Sequence, residues 1–236
     1  MLMQKENTPQ MFDAIAQTYD KLNHRLSLNL DKVWRRKFVK FVSDRNYDVV
    51  LDVASGTGDL LLELQKLKSQ KYIALDPSKN MLEIAKAKVP TAEILISKAE
   101  KINLQDDSVQ LITVAFGVRN FASVDEAFKE FYRISQKNAC LAIMEFALPK
   151  NFLCRFGFKL YLNLIIPFYG KIISKNKQAY KYLSKSIVDF ANNVDLTNKL
   201  EQAGFSDIKV KNLLCGAVKI YKAKKRCFCN QKNIYR

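Results

Sequence analysis

The stretch Val49-Val50-Leu51-Asp52-Val53-Ala54-Ser55-Gly56-Thr57-Gly58-Asp59 constrains this chain more than any other. A short, β-branched apolar run stops at a small-residue turn, and the helical pattern Leu60-Leu61-Leu62-Glu63-Leu64 follows at once. Strand, glycine turn and helix in that order make the first βα unit of a nucleotide-binding sheet. Gly56 and Gly58 let the backbone turn tightly and approach a ligand where a Cβ would collide. The helix beyond begins with free N–H groups aimed at the same place. The pattern is not G-x-x-x-x-G-K-[ST], which disfavours a triphosphate cradle. Leu61 stands where a dinucleotide fingerprint has its third glycine, which disfavours an NAD pyrophosphate. Asp52 before the turn and Asp59 after it favour an adenosine-bearing ligand with an amino-acid arm, Asp59 facing a positive group. An ordinary βα turn with two glycines is the alternative.

The units that follow alternate. Lys71 to Asp76 reads as a second buried strand, ending in a carboxylate about 20 residues beyond Gly56, the spacing at which an acid accepts hydrogen bonds from ribose hydroxyls. Pro77-Ser78 starts a helix over Asn80 to Lys88. Ala92 to Ile96 is a third strand, and Lys98-Ala99-Glu100 a loop placed to line an adenine. Val109 to Phe116 is a fourth strand whose continuous apolar run expects burial on both faces. It breaks at Gly117 into Val118-Arg119-Asn120-Phe121, polar groups in the crevice beyond a parallel strand. Val124 to Ser135 is a helix, and Cys140 to Phe146 a fifth strand with Glu145 near its end. Asp195 to Ala203 is a late helix, and Phe205 to Lys211 with Cys215 to Lys222 a final antiparallel pair.

Ahead of this core, Met11 to Tyr19 reads as a short helix, followed by an aromatic and polar cluster and a second helix around Trp34. A lid over the ligand is one reading of this segment, and a packing arm on the sheet edge the other. His24 is the lone histidine, a type that serves as general base but more often packs. Phe152 to Ser174 is apolar and aromatic, interrupted by Arg155, Lys159 and Lys171 and broken by Pro167 and Gly170. An ordinary core helix pair accounts for it, but a hydrophobic mouth that admits a lipid chain, lysines outward, accounts for it better.

The chain has 236 residues, 48% of them hydrophobic, enough for a proper core. The polar Met1 to Gln10 carries no signal-like apolar run, and Leu160 to Gly170 is too short to span a bilayer. Five scattered cysteines suit a reducing cytoplasm, and Cys227-x-Cys229 lacks the second pair or histidine of a zinc site. The net charge of +16 fits a lysine-rich solvated surface or an anionic membrane surface.

Asp52-x-Ala54-x-Gly56-Thr57-Gly58-Asp59, the Asp76 spacing and Phe116-Gly117-Val118-Arg119-Asn120-Phe121 resemble the class I S-adenosylmethionine methyltransferases. More narrowly, they resemble the quinone-biosynthesis C-methyltransferases acting on demethylmenaquinol and its ubiquinol-precursor counterpart. Tyr19-Asp20-x-x-Asn23, Ser27, Trp34-Arg35, Glu145-Phe146-x-x-Pro149 and Tyr180-x-Tyr182-Leu183-x-x-Ser186-Ile187-x-x-Phe190 match the same family. Together these cover residues about 9 to 223. The chain departs from the family at Ser55, at Lys98 in place of Asn, at Ala115 in place of Ser, at Leu28-Asn29, and at Gln136 to Ala139, where Asn138 can take the left-handed turn conformation.

The resemblance implies a Rossmann-like α/β fold, a mainly parallel seven-stranded sheet with helices on both faces. It implies one methyltransferase domain over residues 1–223: a helical lid at 1–46, a cofactor core at 47–149, a substrate-side helical insertion at 150–190, and a helix and strand pair at 191–223. Residues 224–236 are then a basic tail. It implies S-adenosyl-L-methionine held by Asp52, Gly56, Thr57, Gly58, Asp76, Lys98 and Ala99, and a prenylated quinol contacted by Tyr19, Tyr180 and Tyr182. Arg119 would stabilise a developing oxyanion and Asn120 orient it, His24 being a weaker candidate for base. No metal and no nucleic acid are expected. The protein is expected in the cytoplasm, peripheral on the inner face of the cytoplasmic membrane, with a homodimer left open. An RNA methyltransferase with the same core, or a non-catalytic membrane-associated subunit, are the alternatives.

Overall fold

A computed structural model describes residues 8–166 and 177–226. Seven strands form one sheet among the described residues, in the order β3-β2-β1-β4-β5-β7-β6. They are β1 (Val49–Val53), β2 (Lys71–Asp76), β3 (Glu93–Ile96), β4 (Val109–Ala115), β5 (Ser135–Phe146), β6 (Phe205–Leu213) and β7 (Val218–Lys225). Strands β1 to β5 are parallel, and β7 is antiparallel to both β5 and β6. The direction of winding reverses between β1 and β4, which opens a crevice beyond their carboxyl ends. Around the sheet lie α1 (Thr8–Leu26), α2 (Leu30–Val42), α3 (Asp59–Leu64), α4 (Lys79–Lys88), α5 (Val124–Ile134), α6 (Phe152–Leu160), α7 (Lys177–Asn193) and α8 (Leu196–Gln202).

Side chains alternate along a strand, so the sheet carries two cores. On one face Leu51, Val53, Ile112 and Val114 meet Phe128 and Phe131 of α5 and Leu200 of α8. On the other, Val50, Tyr72 and Leu111 meet Trp34 and Phe38 of α2, Leu61 of α3 and Leu82 of α4. Each such fully buried side chain contributes about 1.5–3 kcal/mol. Side-chain caps start the helices: Ser78 accepts from Met81 N, Ser123 from Glu126 N, Asn151 from Cys154 N and Asp195 from Thr197 N. A third cluster stands off the sheet, where Leu22 and Leu26 of α1 pack on Phe158 of α6, Leu162, Ile166 and Ile187 of α7. This cluster joins the N-terminal helix to the insertion above the crevice.

Several elements differ from their expected bounds. Helix α1 runs to Leu26 rather than Tyr19, because Leu22 and Leu26 continue its buried stripe. Strand β5 begins at Ser135; its register against β4 jumps between Val109 and Leu111, and the expected turn survives as a bulge with Asn138 at φ 61°. Strand β7 reaches Lys225, so the chain at 224 is sheet rather than tail. There Lys222 pairs with Asp44 at 2.6 Å and Lys225 with Asp107 at 2.7 Å, which ties much of the densest basic run into the fold. The insertion forms α6 and then a π-helical turn, Tyr161–Ile165. Expectations for Pro167, Gly170, Lys171 and Cys227-x-Cys229 lie outside the described residues, as does the side chain of Tyr180.

Gly58 has φ +80°, and a Cβ there would stand 2.9 Å from the Ala85 backbone of α4. Gly58→Ala is therefore expected to lower stability by about 1–3 kcal/mol, a fall of several degrees in Tm by thermal denaturation; an unchanged Tm would contradict this packing.

Candidate active site

The glycine turn is shaped by two carboxylates at the strand ends. Asp52, at the end of β1, accepts from Ser55 Oγ at 2.8 Å and Thr113 Oγ1 at 2.7 Å. Asp76, at the end of β2, accepts from Gly56 N at 3.0 Å and Ser78 N at 2.9 Å. Each Asp76 oxygen keeps a lone pair for a ligand hydroxyl. Burial pushes the Asp52 carboxyl up to about 6, against hydrogen bonds from Thr113 and Ser55 that lower it. Burial likewise pushes Asp76 up to about 6, partly offset by the N–H groups of Ser78 and Gly56. Nothing lies within 4 Å of where a Cβ on Gly56 would stand, so the turn leaves room for a ligand against its backbone.

Helix α1 is fastened over this turn. Asp13 accepts from Ser78 Oγ and from Asn80 N. Asp20, two turns later on the same face, accepts from Thr57 Oγ1 at 2.5 Å and pairs with Lys88 Nζ at 2.6 Å. Asp59 does face positive groups, and they are the protein's own: Lys88 at 2.5 Å and Arg35 at 3.3 Å, with the His24 imidazole 3.8 Å away. His24 Nδ1 also meets Asp31 Oδ2 at 2.7 Å, and the imidazole does not border the cavity. The donor atoms of His24, Asp31 and Asp59 lie within 4.8 Å of one another, the spacing of a metal site. Arg35 bonds Asp31 and approaches Asp59, so a guanidinium already serves both carboxylates as their cation.

The third corner follows β4. Phe116 turns the chain with φ +57°, and a Cβ on Gly117 would meet Ala54 Cβ at 2.5 Å. That close approach sets Arg119 into the crevice on a 3₁₀ turn, Val118–Asn120. Its guanidinium is buried against Glu145, Nη1 to Oε1 at 2.9 Å, and also meets the Phe116 carbonyl. The Phe146 ring lies 5.7 Å away, centroid to Cζ. Beside it, Tyr182 of α7 donates to Asn120 Oδ1 at 3.1 Å. Burial pushes the Tyr19 phenol up, against lowering by its Asn23 hydrogen bond and by Arg119.

A cavity of about 480 Å³ joins these corners. Tyr19, Asp52, Gly56, Thr57, Arg119 and Tyr182 line it, so residues from four separate motifs meet in one space. Asp76 and Gly58 stand behind the wall, Asp76 held to the turn through Gly56 N. Asn120 reaches the site through Tyr182. Lys98 is exposed and Ala99 buried, and neither borders the cavity. Much of the remaining wall is apolar, with Trp34, Phe116, Phe146 and Phe158 among its side chains, and Asn23, Asp31, Arg35 and Asp59 add polar groups to it. Asp13, Asp20 and Glu145 carry structural weight here that pattern reading did not assign. The helical spacing of Asp13 and Asp20 was the available signal; the Glu145 pairing crosses from β5 to the turn after β4 and leaves none.

This fold, with a glycine turn and a strand-end acid at the switch point, defines the class I methyltransferases. The chain aligns over 92% of its length with a SAM-dependent methyltransferase of Thermotoga maritima, covering 100% of that chain, with a TM-score of 0.62 and 19% identity. The [4+2]-cyclase SpnF aligns as well, with a TM-score of 0.63 and 12% identity over 95% of this chain and 97% of that one. The fold therefore does not choose the reaction. Sequence is more specific: residues 1–225 match the model of the ubiE/COQ5 methyltransferase family, and the chain belongs to it. It is 34% identical to the demethylmenaquinone methyltransferase of Bacteroides fragilis, over 93% of each chain. It is 35% identical to the ubiquinone/menaquinone biosynthesis C-methyltransferase UbiE of Campylobacter jejuni, over 95% of this chain and 100% of that one. Family and fold imply S-adenosylmethionine as cofactor, and the open cradle at Gly56 with the strand-end Asp76 fits it.

Raised carboxyl pKa values carry a sign. Their folded-state values of about 6 exceed the ordinary carboxylate range, so Asp52 and Asp76 contribute stability below that range and lose it as pH rises through about 6. Asp52→Asn is expected to flatten that part of the stability–pH curve in denaturant titrations. Hydroxyl donors favour the carboxylate form of Asp76, so cofactor binding is expected to tighten as pH rises through about 6, with proton uptake by buffer in calorimetry. Asp76→Asn is expected to cost about 1.5–3 kcal/mol of that affinity.

Proposed function

We propose that this protein transfers the methyl group of S-adenosylmethionine to a ring carbon of a prenylated hydroquinone, demethylmenaquinol or its ubiquinol-precursor counterpart. The observation that carries this reading is a buried guanidinium, Arg119, in the wall of an aromatic-lined cavity that also reaches the glycine turn. A flat apolar ring with hydroxyl groups is the ligand such a wall suits.

Bound S-adenosylmethionine supplies an electrophilic methyl group. Asp76 would accept its ribose hydroxyls, and the open backbone at Gly56 would let the ligand lie close. The hydroquinone carbon is a weak nucleophile until a ring hydroxyl loses its proton; once methylated, that carbon would shed its own hydrogen as a proton to restore the aromatic ring, and the cofactor would be left as the neutral thioether. Arg119 stabilises the resulting oxyanion in a site where low dielectric strengthens the interaction. Tyr182 orients the Asn120 amide, which aligns the ring or a water that takes the proton. The Tyr19 phenol, pushed up by burial, stays protonated and donates rather than acts as base. Helix α1, latched by Asp13 and Asp20, keeps water from the reacting atoms.

The prenyl chain has a route out. Trp34, Phe116, Phe146, Phe158 and Tyr161 form a run of neighbouring rings, with successive centroids 4.5–6.5 Å apart, from the Arg119 corner toward α6. One face of α6 and its π turn buries Phe158, Leu162 and Ile166. The opposite side exposes Phe152, Phe156, Leu160 and Leu164 at four-residue spacing, with Arg155 and Lys159 also exposed. No helix of the described residues is long and apolar enough to cross a membrane. An amphipathic helix with aromatic and basic residues binds at a lipid surface instead. The protein would then take its quinol from the inner face of the cytoplasmic membrane.

Arg119→Ala is expected to reduce methylation of a demethylated quinol roughly a hundredfold to a thousandfold while S-adenosylmethionine still binds. In cells lacking the protein, quinone mass spectrometry is expected to show a species one methyl group light; an unchanged quinone profile would sink the substrate assignment. Phe152→Glu with Phe156→Glu is expected to weaken sedimentation with anionic vesicles and raise KM for a long-chain quinol, leaving cofactor affinity intact.

A further inference from the structure

The Arg119 guanidinium is held from three sides. Glu145 Oε1 accepts from Nη1 at 2.9 Å, the Phe116 carbonyl accepts from the same nitrogen, and the Phe146 ring lies against the group. Glu145 also accepts from the backbone N–H of Arg119 at 3.3 Å and of Phe146 at 3.0 Å. It is 1% exposed and does not border the cavity. A carboxylate so enclosed, with three donors on its two oxygens, can neither reach a substrate nor serve as the base. Arg119, by contrast, borders the cavity, and its Nε is buried without a partner among the described residues. Native structures rarely leave a buried charged donor unmatched, and a catalytic role is one of the recognised reasons for an exception.

We propose that Glu145 is the positioning residue of the methyl transfer: it fixes the Arg119 fork through Nη1 so that the rest of the guanidinium is presented to the ring oxygen of the quinol. This rests on the oxyanion role of Arg119 set out above and adds the group that aims it. Flexible arginine side chains lose directional hydrogen bonding unless a planar partner holds the fork. A buried guanidinium also needs a nearby anion to remain where it is. Glu145 supplies both from the far side of the strand, which leaves the cavity side clear. It carries a cost for catalysis, since its negative charge weakens the field that Arg119 exerts on a developing oxyanion. Aim and field are therefore separable in experiment.

Glu145→Gln keeps the size and an acceptor oxygen but removes the charge. In the full-length enzyme it is expected to lower kcat at least tenfold with KM for quinol and affinity for cofactor little changed. It is also expected to move the rising limb of the kcat–pH profile to lower pH, because an uncompensated Arg119 favours the ionised quinol. The other titratable or charged groups nearby, Tyr19 on α1, Arg35 on α2, Asp52 on β1, Tyr182 on α7 and Tyr221 on β7, are retained in the variant, Tyr221 losing only the upward push of the Glu145 charge. A second arm uses chemical rescue. Millimolar guanidinium is expected to restore part of the activity of Arg119→Ala, and to restore none in Arg119→Ala with Glu145→Gln, because the free cation then has no carboxylate to seat it. Glu145→Asp, which keeps the charge, is expected to recover part of the single variant's loss. Wild-type kcat and pH profile in a folded Glu145→Gln enzyme, or rescue of equal size with and without Glu145, would overturn the positioning role while leaving that of Arg119 standing. Full turnover by Arg119→Ala would overturn both.

Discussion

Beyond its carboxyl edge a parallel sheet leaves turns rich in unpaired donors, and in this protein three buried carboxylates take them up. Asp52 accepts from Ser55 and Thr113, Asp76 from Gly56 and Ser78, and Glu145 from Arg119 and Phe146. These acids stand at the ends of β1, β2 and β5, three strands on either side of the switch point. Unpaired buried donors cost about 1–3 kcal/mol each, so the turns settle where the carboxylates hold them. The glycine turn, the helix starts and the Arg119 corner all take their positions from this arrangement.

Holding acids away from water has a consequence. Asp52 and Asp76 resist ionisation, and the fold loses stability when they are forced to charge near neutral pH. The same environment makes each strong as an acceptor once a ligand donor arrives. Arg119 and Glu145 show the other solution, an ion pair in which each charge justifies the burial of its partner. The site thus combines poorly solvated acids at the glycine turn with a paired cation at the corner after β4. Between them lies a cavity whose wall joins aromatic side chains to the paired charges of Asp31, Arg35 and Asp59.

Above the crevice the organisation changes from sheet to helices. Helix α1 is anchored by polar contacts to the glycine-turn region at Asp13 and Asp20 and by apolar contacts to α6 and α7 at Leu22 and Leu26. One helix therefore covers the glycine turn and also packs against α6 and α7. The polar cluster of His24, Asp31, Arg35, Asp59 and Lys88 serves that closure, since its ion pairs tie α1, α2, α3 and α4 together. The charge of the glycine turn's own Asp59 is answered within the protein by this cluster.

Strand runs, the glycine turn, the Asp76 spacing and the helix start at Ser78 were legible in the chain because each depends on neighbours within about one turn or one strand. Lys71 to Asp76 and Val124 onward matched their patterns for that reason. The extent of α1 was not legible, because Leu22 and Leu26 become core residues only once α6 and α7 pack on them. Nor was the end of β7, where Lys225, read as tail, finds Asp107 across the fold. The sequence by itself determined the alternation of strand and helix, the cofactor turn and the family, since periodicity and local motif encode them directly. Only the tertiary structure decided that Glu145 seats Arg119, that Asp20 meets Thr57 and that Tyr182 meets Asn120. Those partners lie 26, 37 and 62 residues apart, and nothing in a one-dimensional pattern specifies which distant side chains a packed sheet will bring within hydrogen-bonding reach.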